Sequence, residues 1–228
     1  MRHMAQNALI QHARGSLLRR SIGVAVIIGM MGVLLSTEIT LALPLQAPTE
    51  SVRSTIAEVF SILRNDELKK PSRAAERRQE IEQILRHRVS YEEMAKHALG
   101  QPWIDLTEGE RSEFVDLFVQ VLRDNFAGKI DAYVNEQVVY LSEQQDAHFA
   151  VVRSRLMGHR VDTLLDFRLV DRAGEWLVYD VMVDGVSIVG NYHAQFTKII
   201  RDHSYADLLR RMKDKTLVVK TFETTMAP

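Results

Sequence analysis

The chain has 228 residues, of which 46% are apolar and 26% are charged, and its formal net charge is −1. This size and composition fit one sizeable folded domain with room for a targeting segment. The near-neutral charge gives no electrostatic basis for binding nucleic acid, which usually requires a basic face. The sequence contains no cysteine, which excludes disulfides and thiolate metal ligands.

The N-terminus has the three parts of a secretory signal peptide. Basic residues precede an uncharged apolar run, 21–35, and the small residues Thr40 and Ala42 fit cleavage after Ala42. An uncleaved membrane anchor is the alternative, although a spanning helix needs about 20 apolar residues. We therefore predict a signal peptide over residues 1–42 and a single exported domain over residues 43–228, with the anchored form left open.

The first part of that domain has the pattern of amphipathic helices. Apolar residues recur with helical spacing, interrupted by proline and glycine. Ser90 with Glu93, and Thr107 with Glu110, have the capping-box spacing that opens a helix. Gly100 is placed to stop a helix. The pattern predicts helices that begin near residues 49, 72, 91 and 108, the last one continuing past Phe126 towards Ile130 and Tyr133.

The period of the apolar pattern changes to two after Asn135, which is typical of strands. SEQQDAH, MGHR and DRAG have the composition of turns between these strands. Residues 186–189 fit either a fifth strand or the lead-in to a helix, and two helices follow, one from about Asn191 and one capped by Ser204. The expected fold class is α+β, an antiparallel sheet packed by N-terminal and C-terminal helices. The predicted strands are 137–141, 149–156, 162–170 and 175–183.

Two of these strands differ in how their apolar residues alternate. In the third, Leu165, Phe167 and Leu169 alternate with polar Asp166 and Arg168, which predicts one dry face and one wet face. The fourth is apolar on both faces, which predicts a central strand. Regular alternation there puts one set of side chains on one face and a second set on the other: Leu177, Tyr179, Val181 and Val183 against Val178 and Met182.

The polar residues of the strand region do not form a convincing catalytic or metal site. Asp162 and Asp166 are separated by about 13 Å on an extended strand, beyond the carboxylate spacing of about 9.5 Å that a glycosidase uses. The histidines show no metal-binding spacing, and Ser187 lacks the context of a nucleophile elbow. Asp180, inside a strand, is interpreted as a buried structural anchor that requires a donor from a helix N-terminus or from Arg168.

The sequence resembles a known family in three stretches. These are YEEMAKHALGQPW, the long helix with Phe114 and Phe118, and GEWLVYDVMVDGVSIVGNYHAQF. Together they resemble the MlaC family of periplasmic phospholipid-binding proteins, which also includes proteins associated with toluene tolerance and with hopanoid lipids. The resemblance covers roughly residues 50–215. It departs at His193, where the family usually has Arg, and at Gly190, where a bulkier residue is expected.

The resemblance implies a lipid carrier. Members of the family have a curved sheet packed by helices, similar to nuclear-transport-factor-2-like folds, with acyl tails held in an apolar pocket between the layers. They shuttle phospholipid between an outer-membrane lipoprotein complex and an inner-membrane ABC transporter, through its substrate-binding subunit, and so maintain outer-membrane lipid asymmetry. No catalysis, metal or cofactor is implied, and the bound lipid is cargo.

Apolar side chains of the sheet and of the helices beside it are the candidates for lining that pocket. Periodicity alone does not distinguish pocket lining from ordinary core packing, so both interpretations stay open. Asn191 in particular fits either the rim or a helix N-cap. The predicted lining residues are Phe118, Leu122, Phe126, Val139, Val151, Leu165, Phe167, Leu169, Tyr179, Val181, Val183, Ile188 and Phe196, and the predicted rim or structural polar residues are Asp180, Asn191, Tyr192 and Gln195.

Other functions fit the same sequence. The cargo of a carrier in this family is a phospholipid, a hopanoid or another hydrophobic molecule, and the direction of transport is not encoded. A non-catalytic envelope scaffold with a filled core is a second class. An isomerase or dehydratase that uses Asp180 with Tyr140 in an apolar pocket is a third.

Overall fold

The computed structural model describes residues 47–126, 136–158 and 161–217. The predicted signal peptide, the predicted helical positions Ile130 and Tyr133, and residues 218–228 lie outside the described residues. The helices are α1 (Pro48–Arg64), α2 (Ala74–Arg88), α3 (Tyr91–Leu99), α4 (Glu108–Phe126), α5 (Ile188–Asp202) and α6 (Tyr205–Lys213). The strands are β1 (Gln137–Asp146), β2 (Phe149–Met157), β3 (Thr163–Arg172), β4 (Glu175–Val183) and β5 (Val186–Ser187).

The strands form one curved sheet in the order β1-β2-β3-β4-β5, and every neighbouring pair is antiparallel. Helices precede and follow the sheet in the chain, so the predicted α+β class is confirmed. The turns after β3 and β4 use Gly174 at φ +89° and Gly185 at φ +83°. Glycine adopts this left-handed region without a steric penalty, so the predicted DRAG turn forms a hairpin and a second hairpin joins β4 to β5.

Capping side chains set the helix boundaries, largely as the sequence predicts. Thr107 and Glu110 form a reciprocal box, because the Thr107 N–H donates to Glu110 Oε2 at 2.8 Å and the Glu110 N–H donates to Thr107 Oγ1 at 3.4 Å. At α3 only half of the box forms. Ser90 Oγ accepts from the Glu93 N–H, but the Ser90 N–H donates to the Val178 carbonyl of β4 at 2.9 Å. The Glu93 carboxylate is therefore available for other partners.

The first strand is longer than its sequence indicates. Residues 142–146, predicted as part of a turn, continue β1 and pair with β2 up to Asp146 opposite Phe149. The turn itself is Ala147 and His148, with Ala147 at φ +47°. The prediction was wrong because β1 lies at the edge of the sheet, where exposed polar residues are tolerated in a strand.

A bulge in β4 changes which of its side chains share a face. Phe167 pairs with Val181, but Leu169 pairs with Val178, so Tyr179 is an additional residue on β4. Such an insertion reverses the alternation beyond it. Val178 therefore shares a face with Val181, and the prediction of regular alternation along β4 was wrong.

The predicted start of α5 was also wrong. The helix begins at Ile188, and its N-cap is Ser187, whose Oγ accepts from the Gly190 N–H at 2.7 Å. Asn191 lies within the helix, so the N-cap interpretation of Asn191 is excluded. Residues 186–189 combine both sequence interpretations, a short strand followed at once by a helix.

Two clusters of buried apolar residues form the core. The helical core joins α3, α4, α5 and α6 around the aromatic rings of Phe114, Phe118, Tyr192 and Phe196. The sheet core joins Val52 of α1 to a set of sheet residues, and Ile56 and Phe167 pack against it. These sheet residues are Ala150, Val152, Leu169 and Trp176. We call the sheet face that bears them the α1 face.

Candidate functional site

The α1 face is mostly apolar across its three central strands, and its buried polar residue on β2, Ser154, donates its hydroxyl to the Leu165 carbonyl at 2.9 Å. Register places Phe167 beside Val181 and Leu165 beside Val183, and β2 contributes the side chains at alternate positions opposite them. The predicted dry face of β3, with Leu165, Phe167 and Leu169, is confirmed. The polar residues Asp166 and Arg168 project from the opposite face.

The two ends of the α1 face differ in burial, although Val183 at the second end is only 4% exposed. At the end occupied by α1, Leu169 and Val152 have no measurable exposure and belong to the sheet core. At the other end, Leu165 and Val181 are only half-buried, and neither belongs to a core cluster. We call this region, defined by Leu165, Phe167, Val181 and Val183, the open end of the α1 face.

Buried side chains from helices and strands lie outside both cores as well. Leu63 of α1, Ile81 of α2 and Leu156 of β2 are 2%, 5% and 7% exposed, yet none belongs to the helical core or the sheet core. α2 contacts β4, and α1 contacts β1, β2 and β4. Their burial shows that α1, α2 and β2 also make apolar contacts outside the two main clusters.

Asp180 on the opposite face has the structural role that the sequence predicts. It is 2% exposed. Its Oδ1 accepts from the Val189 N–H at 3.0 Å, its Oδ2 accepts from Ser187 Oγ at 2.6 Å, and Arg168 lies 3.6 Å away. The expected helix N-terminus supplies a donor, and Arg168 contributes an ion pair rather than a hydrogen bond. The interpretation of Asp180 as a buried anchor is confirmed.

The same contacts separate the residues of the alternative enzymatic site. Tyr140 pairs with Ser154 and packs against the sheet core beneath the guanidinium of Arg53, 4.3 Å from its ring. Asp180 projects from the opposite face of the sheet, and both of its oxygens are occupied. The Asp180–Tyr140 pair is therefore not assembled into one site.

The predicted lining residues fall in three places. The α1 face carries predicted lining residues of β3 and β4, namely Leu165, Phe167, Leu169, Val181 and Val183. Val139 and Val151 project from the opposite face, and Tyr179 stacks on His97 at 5.1 Å. The remaining described ones lie in or against the helical core: Phe118, Leu122, Ile188 and Phe196. Phe126 ends α4, and its side chain lies outside the described residues.

The predicted polar residues of α5 also fall into two groups, one buried and one half-buried. Tyr192 is 1% exposed within the helical core, and its hydroxyl accepts from Asn125 Nδ2 at 3.2 Å. Burial raises the pKa of Tyr192 to about 12. Of the two roles considered for Tyr192, rim residue or structural residue, its position fits the structural one. Asn191 and Gln195 are half-buried and hydrogen-bonded to each other at 3.2 Å.

Sequence reasoning missed two clefts on the surface of the described residues, and neither is lined by the residues of the open end. A cleft of about 490 Å³ lies beside the β1–β2 and β3–β4 turns, and none of the predicted lining residues belongs to it. A smaller cleft of about 320 Å³ lies between α5 and the segment after α3. Glu93, which lines the larger cleft, has only a capping role in the sequence pattern, and no sequence signal connects it with Arg172, 79 positions away.

Neither metal ligation nor a membrane span is found in the part of the chain that the structure describes. No group of three or more His, Asp or Glu side chains is arranged to hold a metal ion there. Within the same residues, every helix is too short or too polar to cross a bilayer.

Comparison with known proteins agrees with this architecture. The family model described as MlaC protein matches residues 53–214, and the chain belongs to this family, as its sequence motifs predict. Among solved structures, the fold matches the phospholipid-binding protein from Ralstonia solanacearum, determined in complex with a phospholipid. The TM-score is 0.66 at 21% identity, over 73% of this chain and 94% of the other. No curated protein matches the sequence significantly.

Proposed function

We propose that this protein is a periplasmic phospholipid carrier whose acyl-tail site lies at the open end of the α1 face. One observation supports it most directly. Leu165 and Phe167 lie on the α1 face of β3, the middle strand of the sheet, yet both stay partly accessible. In a filled interior, apolar side chains at such a position are fully buried.

The hydrophobic effect explains why a carrier needs such a space. Burying one methylene is worth about 0.8 kcal/mol, so two acyl chains with ~30 methylenes in total cost on the order of 20 kcal/mol to expose to water. An apolar wall formed by Leu165, Phe167, Val181 and Val183 offers the tails an alternative to water. The polar anchor Asp180 projects from the opposite face, so it puts no charge into this wall.

Family membership and the fold match support the same proposal. The Ralstonia protein shares this fold and was determined with a phospholipid bound. We extend that ligand class to the present chain because its own apolar wall suits acyl tails. The proposal includes export by residues 1–42, with residues 43–228 as the carrier domain. It also includes lipid exchange between an outer-membrane lipoprotein complex and an inner-membrane ABC transporter, without catalysis.

The decisive experiment is to purify residues 43–228 from the periplasm, extract bound lipid with organic solvent and quantify it by mass spectrometry. We expect phospholipid near one molecule per protein. The same analysis identifies the cargo, so a hopanoid in place of phospholipid would keep the carrier and change its substrate. Protein that is empty and takes up no lipid from vesicles contradicts the proposal.

Two tryptophan variants of neighbouring residues locate the site. Leu165→Trp adds volume to the open end of the α1 face and should displace most of the bound lipid. Leu164→Trp is the matched control, because Leu164 projects from the opposite face and is 45% exposed. If both variants retain the wild-type lipid content while remaining folded, the tails do not lie at the open end.

A further inference from the structure

The larger cleft lies on the sheet face opposite α1, remote from the proposed acyl-tail site. Its volume is about 490 Å³, and the residues that define it are Glu93 and Lys96 of α3, Phe149 of β2 and Arg172 of β3. Phe149 pairs with Val170, whose neighbour Leu169 belongs to the α1 face, so both project to the other side of the sheet. We call this region the hairpin cleft, because it borders the β1–β2 and β3–β4 turns.

A buried carboxylate with several cationic partners forms part of this cleft. Glu93 is 3% exposed. Its Oε2 accepts from Arg172 Nη2 at 2.7 Å, and its Oε1 lies 3.1 Å from Lys96 Nζ and 3.2 Å from His97 Nε2. Both carboxylate oxygens therefore already have partners, and Glu93 has little capacity left to accept from a ligand.

The cations around Glu93, in contrast, keep hydrogen-bond donors that Glu93 does not use. A lysine ammonium has three N–H donors and a guanidinium has five, whereas Lys96 and Arg172 each direct one donor to Glu93. Their side chains are 50% and 53% exposed. Donors that remain at the cleft surface, fixed in position by a buried carboxylate, are suited to an anionic ligand.

The other carboxylate of the cleft is partly occupied by its own turn. Asp171 Oδ1 accepts from the Gly174 N–H at 2.8 Å, and Oδ2 lies 3.6 Å from His148 Nδ1. Asp171 thus stabilises the β3–β4 turn. Its Oδ2 is beyond hydrogen-bonding distance of His148, so the hairpin cleft keeps one carboxylate acceptor beside the donors of Lys96 and Arg172.

An apolar wall completes the cleft. Phe149 is 47% exposed and lines the cleft together with Val170. Its ring packs edge-on against Tyr179, with the centroids 6.0 Å apart, and Tyr179 stacks on His97. Phe149 therefore has one aromatic neighbour and leaves part of its ring exposed at the cleft.

We propose that the hairpin cleft binds the phosphate group of a small ester, with Lys96 and Arg172 donating to its oxygens and Phe149 contacting its carbon portion. A lipid headgroup at a membrane surface and a free phosphate share this chemistry. The site is separate from the acyl-tail site and does not depend on it.

The test uses the purified mature protein labelled with ¹⁵N and titrated with inorganic phosphate and, separately, with glycerol phosphate. We expect saturable NMR shift changes at residues 93–97 and 171–174, with tighter binding of glycerol phosphate. Lys96→Gln should weaken binding about tenfold, the loss expected for one charged hydrogen bond. The matched control is Lys198→Gln, which removes an exposed cation paired with Asp202 on α5 and should leave the affinity unchanged.

Vesicles distinguish the two sources of the phosphate group. If Lys96→Gln reduces binding to phosphatidylglycerol vesicles and Lys198→Gln does not, the ligand of the cleft is a lipid headgroup. Binding of the soluble phosphates without vesicle binding assigns a free phosphate ester. The proposal is overturned if no probe binds saturably at the cleft, or if both lysine variants weaken binding equally. Solvent extraction of Lys96→Gln should still yield the wild-type amount of lipid, so this test and the carrier test fail independently.

Discussion

The carboxylate of Asp180 accepts the backbone N–H of Val189 at 3.0 Å, so a residue inside a strand closes the N-terminus of the helix that follows. The first N–H groups of a helix have no partner within the helix. Ser187 caps Gly190 and also donates to Asp180. The end of β4, the turn and the start of α5 are therefore joined by one connected set of hydrogen bonds, of which the Val189–Asp180 bond is buried.

Removing the Asp180 carboxylate should destabilise this junction strongly. We expect Asp180→Ala to lower the free energy of unfolding by about 3 kcal/mol, because it leaves the Val189 N–H and the Ser187 hydroxyl buried without an acceptor. Urea denaturation followed by circular dichroism measures the loss. Asp166→Ala is the control, since Asp166 is 3.7 Å from Arg153 and only partly buried. Equal losses for the two variants would contradict a special role for Asp180.

Truncation on β3 should distinguish the packed end of the α1 face from the open end. Leu169→Ala should cost about 3 kcal/mol in lipid-free protein, because Leu169 has no exposure and its removal creates a cavity. Leu165→Ala should cost less than about 1.5 kcal/mol, because its side chain is already partly accessible. Paired urea denaturation curves measure the difference. If Leu165→Ala costs as much as Leu169→Ala, the open end is a packed core.

The close approach of His193 to Gly100 should make position 100 intolerant of a side chain. Gly100 has φ +71°, and a Cβ added there would lie 2.5 Å from His193 Cε1. Gly100→Ala should therefore destabilise the protein by about 2 kcal/mol through backbone strain and overlap. His193→Ala in the same chain should recover the part due to overlap, measured as a coupling energy in a double-mutant cycle. Strictly additive effects would show that the ring moves aside freely.

Stability should decrease in strongly alkaline solution because Tyr192 is buried. Its pKa is raised to about 12, whereas an unfolded tyrosine has a pKa of about 10. Below pH 10 both states keep the proton. Between pH 10 and 12 only the unfolded state releases it, so the free energy of unfolding falls as the pH rises, by about 2 kcal/mol over this window.

Chemical denaturation at pH 9, 10, 11 and 12 follows this decrease. Tyr192→Phe should show a shallower decrease than the wild type, although it starts from a different stability because the contact with Asn125 is lost. Identical slopes in the two proteins would assign the alkaline sensitivity to other groups, such as Tyr205, whose pKa burial also raises to about 12.

Local chemistry made much of the fold predictable from the sequence. The capping residues Ser90, Thr107 and Ser204 each accept from the backbone three residues further on, as their spacing predicts. The apolar alternation of β3 likewise predicts its dry face. Such features depend on neighbours in the sequence, so a single chain is sufficient to recognise them.

Features that depend on distant partners were not predictable in the same way. The bulge at Tyr179 arises from how β4 pairs with β3, and the residue type at that position does not predict it. The contact between Glu93 and Arg172 joins α3 to β3. The lining residues were assigned from apolar character alone, which does not distinguish Phe118 in the helical core from Phe167 on the α1 face.

The edge position of β1 has a consequence for the behaviour of the protein at high concentration. An edge strand with unpaired backbone groups is a template on which other chains assemble into fibrils. The second half of β1 is polar and exposed from Ser142 to Asp146, and Glu143 also accepts from the Thr49 backbone N–H at 2.8 Å. These residues make stacking of foreign strands unfavourable, so the edge of the sheet favours colloidal solubility of the folded protein.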